Sequence, residues 1–364
     1  MRKQWMLACL LFITTAAAAQ GVDDSVHQLS TAIVTAHKAR IVFRSARYEV
    51  VDYAFDGDDL LILADKGGFR PRPVLLRLNA GGDTIAYGNL HFYPQKILKN
   101  CAGVPYVLGT DSLYRIRRDG RQLICEHGLP PAMADIMAAC QLKLNDNFYY
   151  KGGDPRTCRV SFARRTAGDT TLRRFTSLED SIAAEIVKYD MGKLRALVLS
   201  KTFAAEELGI YFKSWDELTD ICYEFAVRKG FNGRNYGRVL FTSNLYQYSD
   251  SSIVITDYLA KKLRYFSDTG AVIGVVPMQK RWSDADNYGF LRDEVTGRFY
   301  IHFEKNSHTQ YLQELQPAQG LTTGPLLTFE RQFPEHVSVH DGKIYFLQHD
   351  PAGGSVRQLY VQRW

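Results

Sequence analysis

Five histidines gather late in the chain: His302, His308, His336, His340 and His349. In "HVSVH" the spacing of four places His336 and His340 on one face of a strand. If that strand is the innermost of its sheet, both point into a central channel. With His302 they would form a three-histidine metal site with an open position, for Zn or Ca. An ion there would act as a Lewis acid or activate water, the chemistry of a lyase or lactone hydrolase. Packed or surface histidine is the commoner use where no metal-ligand spacing is met. The reading without any cofactor therefore leads. Nucleophilic catalysis has no G-x-S-x-G to rest on, and no Gly-rich phosphate loop precedes a helix.

Acids recur in a fixed context. A strand-like run ends in Asp65 ("LLILAD"), Asp111, Asp154, Asp216, Asp257 ("IVITD"), Glu304 and Asp350, at intervals of 41 to 62 residues. At a strand end such a carboxylate accepts backbone N–H groups of the following loop, so the seven acids read as structural loop caps. Two loops carry aromatic and basic residues suited to stacking on sugar rings or peptide side chains. "DKGGFRPRP" holds Lys66, Phe69, Arg70 and Arg72, and "KRWSDADNY" holds Arg281, Trp282 and Tyr288. These seven are the candidate ligand-binding residues.

The elements that would position them repeat as strand, turn, strand, acid-led loop, strand, turn, strand. Four short strands per ~40–50 residues is the period of a β-propeller blade. The expected fold is an all-β propeller, with seven blades favoured over six. The last unit is one strand short, and "ARIVFRS" (39–45) has no partner of its own. That N-terminal strand is expected to close the ring, which removes exposed sheet edges. One short helical insertion is expected near 177–189, with Ser177 as N-cap and Ile182, Ile186 and Val187 on one face.

The stretch "IVITDYLAKKLRYFSDTG" (253–270) resembles the NHL repeat of β-propellers, with a strand ending in Asp, a polar loop and an aromatic strand ending at Asp-x-Gly. The pattern is looser at 104–120 and 342–353 and weak at 208–230. The chain is similar to secreted bacterial NHL-like propellers, many of which have six blades. That group includes a zinc-dependent amidating lyase, but its ligand motif has no residue-by-residue match here.

Residues 1–19 read as a signal peptide, with Arg2 and Lys3, a short apolar core and Ala17-Ala18-Ala19. Residues 20–364 then form a single propeller domain, exported to the periplasm or outside the cell. A formal charge of +6 falls to +4 without Arg2 and Lys3, too mild to imply nucleic acid. No later apolar run approaches the ~18 residues of a membrane span. Cys101, Cys125, Cys140, Cys158 and Cys222 follow the leader, an odd count read as buried thiols with at most a bridge or so. Arg115, Arg117, Arg118 and Arg121, and Arg164, Arg165, Arg173 and Arg174, fall on third and fourth strands, where charge guards an outer edge. The expected role is non-enzymatic recognition of a glycan, peptide or surface protein partner by a monomer.

Overall fold

The computed structural model describes residues 33–34, 39–43, 48–66, 72–199, 242–278, 287–305, 309–329, 334–349 and 356–363. Strand β1 is Ile33–Val34 and β2 is Arg40–Phe43. Four-stranded meanders follow. The first holds β3 (Glu49–Asp56), β4 (Asp59–Asp65), β5 (Pro73–Leu78) and β6 (Thr84–Asn89). The second holds β7 (Pro94–Lys99), β8 (Pro105–Gly109), β9 (Leu113–Asp119) and β10 (Gln122–Leu129). After helix α1 (Met133–Ala139) come β11 (Cys140–Leu144), β12 (Asn147–Asp154), β13 (Arg159–Thr166) and β14 (Arg173–Glu179). Helix α2 (Ser181–Leu199) leads out of that sheet. The fourth holds β15 (Leu245–Ser249), β16 (Ser252–Asp257), β17 (Lys262–Ser267) and β18 (Val272–Pro277). The fifth holds β19 (Asn287–Arg292), β20 (Phe299–Lys305), β21 (Thr309–Gln316) and β22 (Leu321–Thr328). The sixth has β23 (Glu335–His340), β24 (Lys343–His349) and β25 (Arg357–Arg363).

The sixth sheet is completed by the N-terminal strand, as the sequence predicts. β2 pairs antiparallel with β25, Arg40 opposite Val361 and Ile41 opposite Tyr360. Ile41 packs into the core shared with the fifth sheet, while Val42 and Phe43 pack into the core shared with the first. Neighbouring sheets share such cores in succession, first with second, third with fourth, fourth with fifth, fifth with sixth and sixth with first. The second and third meet through α1 and the disulfide Cys101–Cys140. The result is an all-β, propeller-like arrangement. Middle strands explain the continuous apolar runs: Leu61, Ile62, Leu63 and Ala64 of β4 are all fully buried, because both faces of the sheet meet a neighbour. β6 and β10 join the first two meanders by one parallel bridge, Tyr87 opposite Gln122. Gly88 permits that approach, since a Cβ there would lie 2.2 Å from the Leu123 carbonyl oxygen.

Three expectations change. Among the described residues there are six four-stranded units; a seventh, favoured by the repeat count, is not among them. The unit assigned to Asp216 lies outside the described residues, and the third sheet packs directly on the fourth. The helix begins later than expected, at Ser181 rather than 177, because Thr176 to Glu179 pair with β13. Its cap is Asp180, whose Oδ1 accepts the Ala183 N–H at 2.9 Å. Ala183 and Val187 face the core, and Ile182 is exposed. β1, which adds parallel to the outer edge of β22, and α1 were not anticipated. No helix among the described residues is long and apolar enough to cross a membrane.

Candidate functional site

Two cavities occupy different parts of the framework. Antiparallel alternation puts the β4–β5 connection and the links between successive sheets at one end of the molecule. At that end an open cleft of about 630 Å³ is lined by Tyr48, Arg72, Asn89, His91, Phe92 and Tyr93, among others. Phe92 is fixed by stacking on Tyr114, centroids 3.8 Å apart, while Tyr93 stands 57% exposed. Asp65 shapes the loop that delivers Arg72: its Oδ1 accepts the Arg72 backbone N–H at 2.9 Å. Lys66 is exposed beside Asp65. Phe69, Arg70, Arg281 and Trp282 lie outside the described residues. Tyr288 belongs to β19, and its side chain lies outside the described part.

The other recurrent acids divide. Asp154 caps its turn through the Arg156 N–H (3.0 Å) and the Thr157 hydroxyl (2.7 Å). Buried Asp257 accepts the Ala260 N–H and holds the Arg264 guanidinium at 2.6 Å. Asp111 departs from the pattern. Its carboxylate accepts the Tyr114 hydroxyl, and a backbone bond from Gly109 to Ser112 closes that turn. The side chain of Glu304, and all of Asp216 and Asp350, lie outside the described residues.

The second cavity, about 290 Å³, lies among the first strands of four sheets, β3, β7, β19 and β23. His336 and His340 both line it, as expected. Even spacing alone does not account for this. The β23–β24 register shifts between Glu335 and Ser338, and His336 takes a φ of +47°, rare for a residue with a Cβ. Its Nδ1 lies 2.6 Å from Oδ1 of Asp52, whose Oδ2 accepts the Ile97 N–H at 2.7 Å. An ionised carboxylate only accepts, so the Nδ1 facing Asp52 carries a proton. The His336 ring stacks on Tyr53 at 4.6 Å. The Tyr53 hydroxyl sits 2.5 Å from the His336 carbonyl, 2.9 Å from the Tyr345 carbonyl and 2.8 Å from Ser338 Oγ. It has one proton for two carbonyls, so Ser338 donates to it. Burial pushes this phenol far up.

His340 is buried and stacked on Phe55, centroids 3.9 Å apart. Burial lowers its pKa, opposed by Asp293 and Asp341, so it is a neutral ring at pH 7. Arg292 lines the same cavity with its Nε buried and, among the described residues, without a hydrogen-bond partner. Burial lowers the pKa of its guanidinium, against Glu294 and Asp293, which raise it.

His302 does not join this pair. It sits on β20, its Nε2 2.7 Å from Gln310 Oε1 and its ring against Phe329. His336 Nδ1 is taken by Asp52 and His340 lies flat on Phe55, so the donors do not converge on an ion. Among the described residues no group of three or more His, Cys, Asp or Glu is placed to hold one. The sequence reading missed Asp52 and Asp293. Asp52 sits in mid-strand, outside the acid-ended pattern. Asp293 directly follows β19 in "LRDEVTG", the turn-led grammar of the other caps, and was within reach of that rule.

Asp293 is fully buried. It accepts the N–H groups of Val295 (3.0 Å), Asp341 (3.1 Å) and Gly342 (2.8 Å), and the Thr296 hydroxyl (2.8 Å). It thus ties the β19–β20 turn to the β23–β24 turn. Burial raises its pKa, but the bonds from Gly342, Thr296 and Val295 outweigh that and hold it below the ordinary value.

No family model matches the chain, so the NHL resemblance has no counterpart there, and no curated protein matches it either. Solved structures do align over most of its length. A calcium-binding protein, regucalcin, from Agrobacterium tumefaciens is 9% identical, covering 92% of this chain and 97% of its own, with a TM-score of 0.36. A periplasmic gluconolactonase from Pseudomonas aeruginosa is 13% identical, covering 88% and 86%, with a TM-score of 0.31. A protein of unknown function from Bacteroides caccae is 11% identical, covering 83% and 89%, with a TM-score of 0.33. At such scores these likenesses carry no argument about activity; the propeller-like arrangement rests on the sheets and shared cores of the chain itself.

Proposed function

We propose that this chain is an exported, monomeric propeller of six sheets that recognises a glycan or peptide at the end carrying the acid-led loops. One observation carries the reading: the open cleft where Arg72, Asn89 and His91 stand among Tyr48, Phe92 and Tyr93. Aromatic faces with a few polar groups suit sugar rings and extended peptides, and the volume falls within the usual range for small ligands. The NHL resemblance and the signal-like leader support export.

Glycan and peptide arrays probed with the protein and with an Arg72→Ala, Tyr93→Ala double variant test this. Binding to a defined class is expected, lost in the variant at an unchanged melting temperature. Equal array binding by both proteins would sink the reading.

A further inference from the structure

Among the described residues, five of the six outer strands are guarded. β6 and β10 face each other across the Tyr87–Gln122 bridge. β14 carries Arg173, Arg174 and Glu179, β2 begins at exposed Arg40, and β22 is covered by β1. Charge and cover are the usual protection of a sheet edge. β18 has neither. It ends the fourth sheet, holds no charged residue, and leaves Val272 69%, Ile273 61% and Val275 48% exposed. Its backbone is open as well. The Met278 N–H bonds the Lys261 carbonyl and Val275 lies opposite Arg264, so alternation turns the Val275 N–H and carbonyl away from β17. The Ser267 N–H bonds the Ala271 carbonyl, and by the same rule those of Val272 also turn outward. Pro277, which has no N–H, ends the row. Its carbonyl lies against Gly320, where a Cβ would come within 2.2 Å of that oxygen. The open edge therefore stops where the β22 edge, already joined by β1, begins.

We infer that β18 is a docking edge for an extended, uncharged segment of a partner protein, which adds to the fourth sheet as a fifth strand. The chemistry of the occupant follows from the edge. Outward N–H and carbonyl groups call for main chain, and branched apolar side chains call for apolar neighbours across the strand pair. The chain shows the same mode one sheet further on, where Ile33 and Val34 pair parallel with Leu326 and Leu327 of β22. The edge shares no residue with the cleft that binds ligand in the reading above, so the two contacts are independent.

Amide hydrogen exchange of the protein alone is the first test. The Val275 amide should exchange freely at low and at high protein concentration. Protection in dilute protein would mean that the chain covers this edge itself, and protection only in concentrated protein that copies pair through it; either overturns the proposal. The probe for the partner is the capped peptide Thr-Ala-Ile-Val-Thr, the sequence of 31–35 around β1. It should bind saturably and slow exchange at Val275. The same peptide methylated at the Ile and Val nitrogens keeps its apolar surface but loses main-chain donors, and should bind about ten-fold more weakly. Val275→Pro removes the outward N–H without touching the ladder to β17 and should abolish binding. Val275→Lys, which keeps the strand should that variant not fold, should weaken binding about five-fold at an unchanged melting temperature. No saturable binding, equal binding of the methylated peptide, or unaltered binding by the folded Val275 variants would each overturn the proposal.

Discussion

The two cavities differ in what holds their walls. Tyr93 and Arg72 of the cleft come from connections and project outward; what they touch is mostly solvent. Asp52, Tyr53 and His336 of the axial cavity come from inner strands, and each is bonded to a group on another sheet or strand. The comparison teaches that side chains can be changed without loss of stability at the cleft, whereas at the axial cavity the two are coupled. Loops on a rigid frame tolerate change, whereas a buried polar network loses more than one partner when one member goes.

The largest test of this contrast is Asp293→Ala beside the axial cavity. It strands five donors in two turns and should cost roughly 3 kcal/mol, read as a lower denaturation midpoint. The sign of its pH dependence follows from the depressed carboxyl. The stabilisation is present above the ordinary value of 3.8 and is lost as pH falls through the lower, folded value. Asp293→Asn should therefore flatten the acid limb of the stability profile. An unchanged limb would show that the turns do not depend on the charge. A middle effect is expected for Tyr53→Phe, which removes the hydroxyl linking β3 to β23 and β24 at roughly 1–2 kcal/mol. The smallest belongs to Tyr93→Ala, within about 0.5 kcal/mol of wild type in the same assay. A large loss there would erase the distinction between the two cavities.

Much of the frame was legible because the repeat is local. Strand, turn and acid-led loop are written within some forty residues, so β15 to β18 and the caps at Asp65, Asp154 and Asp257 follow from spacing alone. The closing strand was legible for a different reason: one unit lacked a strand and one strand lacked a unit. The sites were less so. His336 and His340 reach the axis as expected, but by way of a register shift that no even-spacing rule contains. The partner of His336 is Asp52, 284 positions away (336 − 52), and nothing local marks that acid as different from any other. His302 shows the converse, a residue type fit for a metal whose strand position directs it to Gln310. Blade number was the least legible feature, left between seven and six, because a helix and a sheet of four strands take up similar lengths of chain.

The pairing of β2 with β25 has a consequence in time. Arg40 to Phe43 are made first, yet their partners at Arg357 to Arg363 follow some 314 residues later (357 − 43). Until then Ile41, Val42 and Phe43 have no strand to join, although both cores they enter need them. The first and fifth sheets each wait on the sixth for one wall of their packing. Synthesis can thus build the meanders one after another, but the final gain in cooperativity arrives in a single late step. Such non-local pairing is slow, because loop-closure entropy is spent before any contact is made. Sheets already formed would wait with open edges, and it is in that interval, more than in the finished molecule, that this chain is exposed to misassembly.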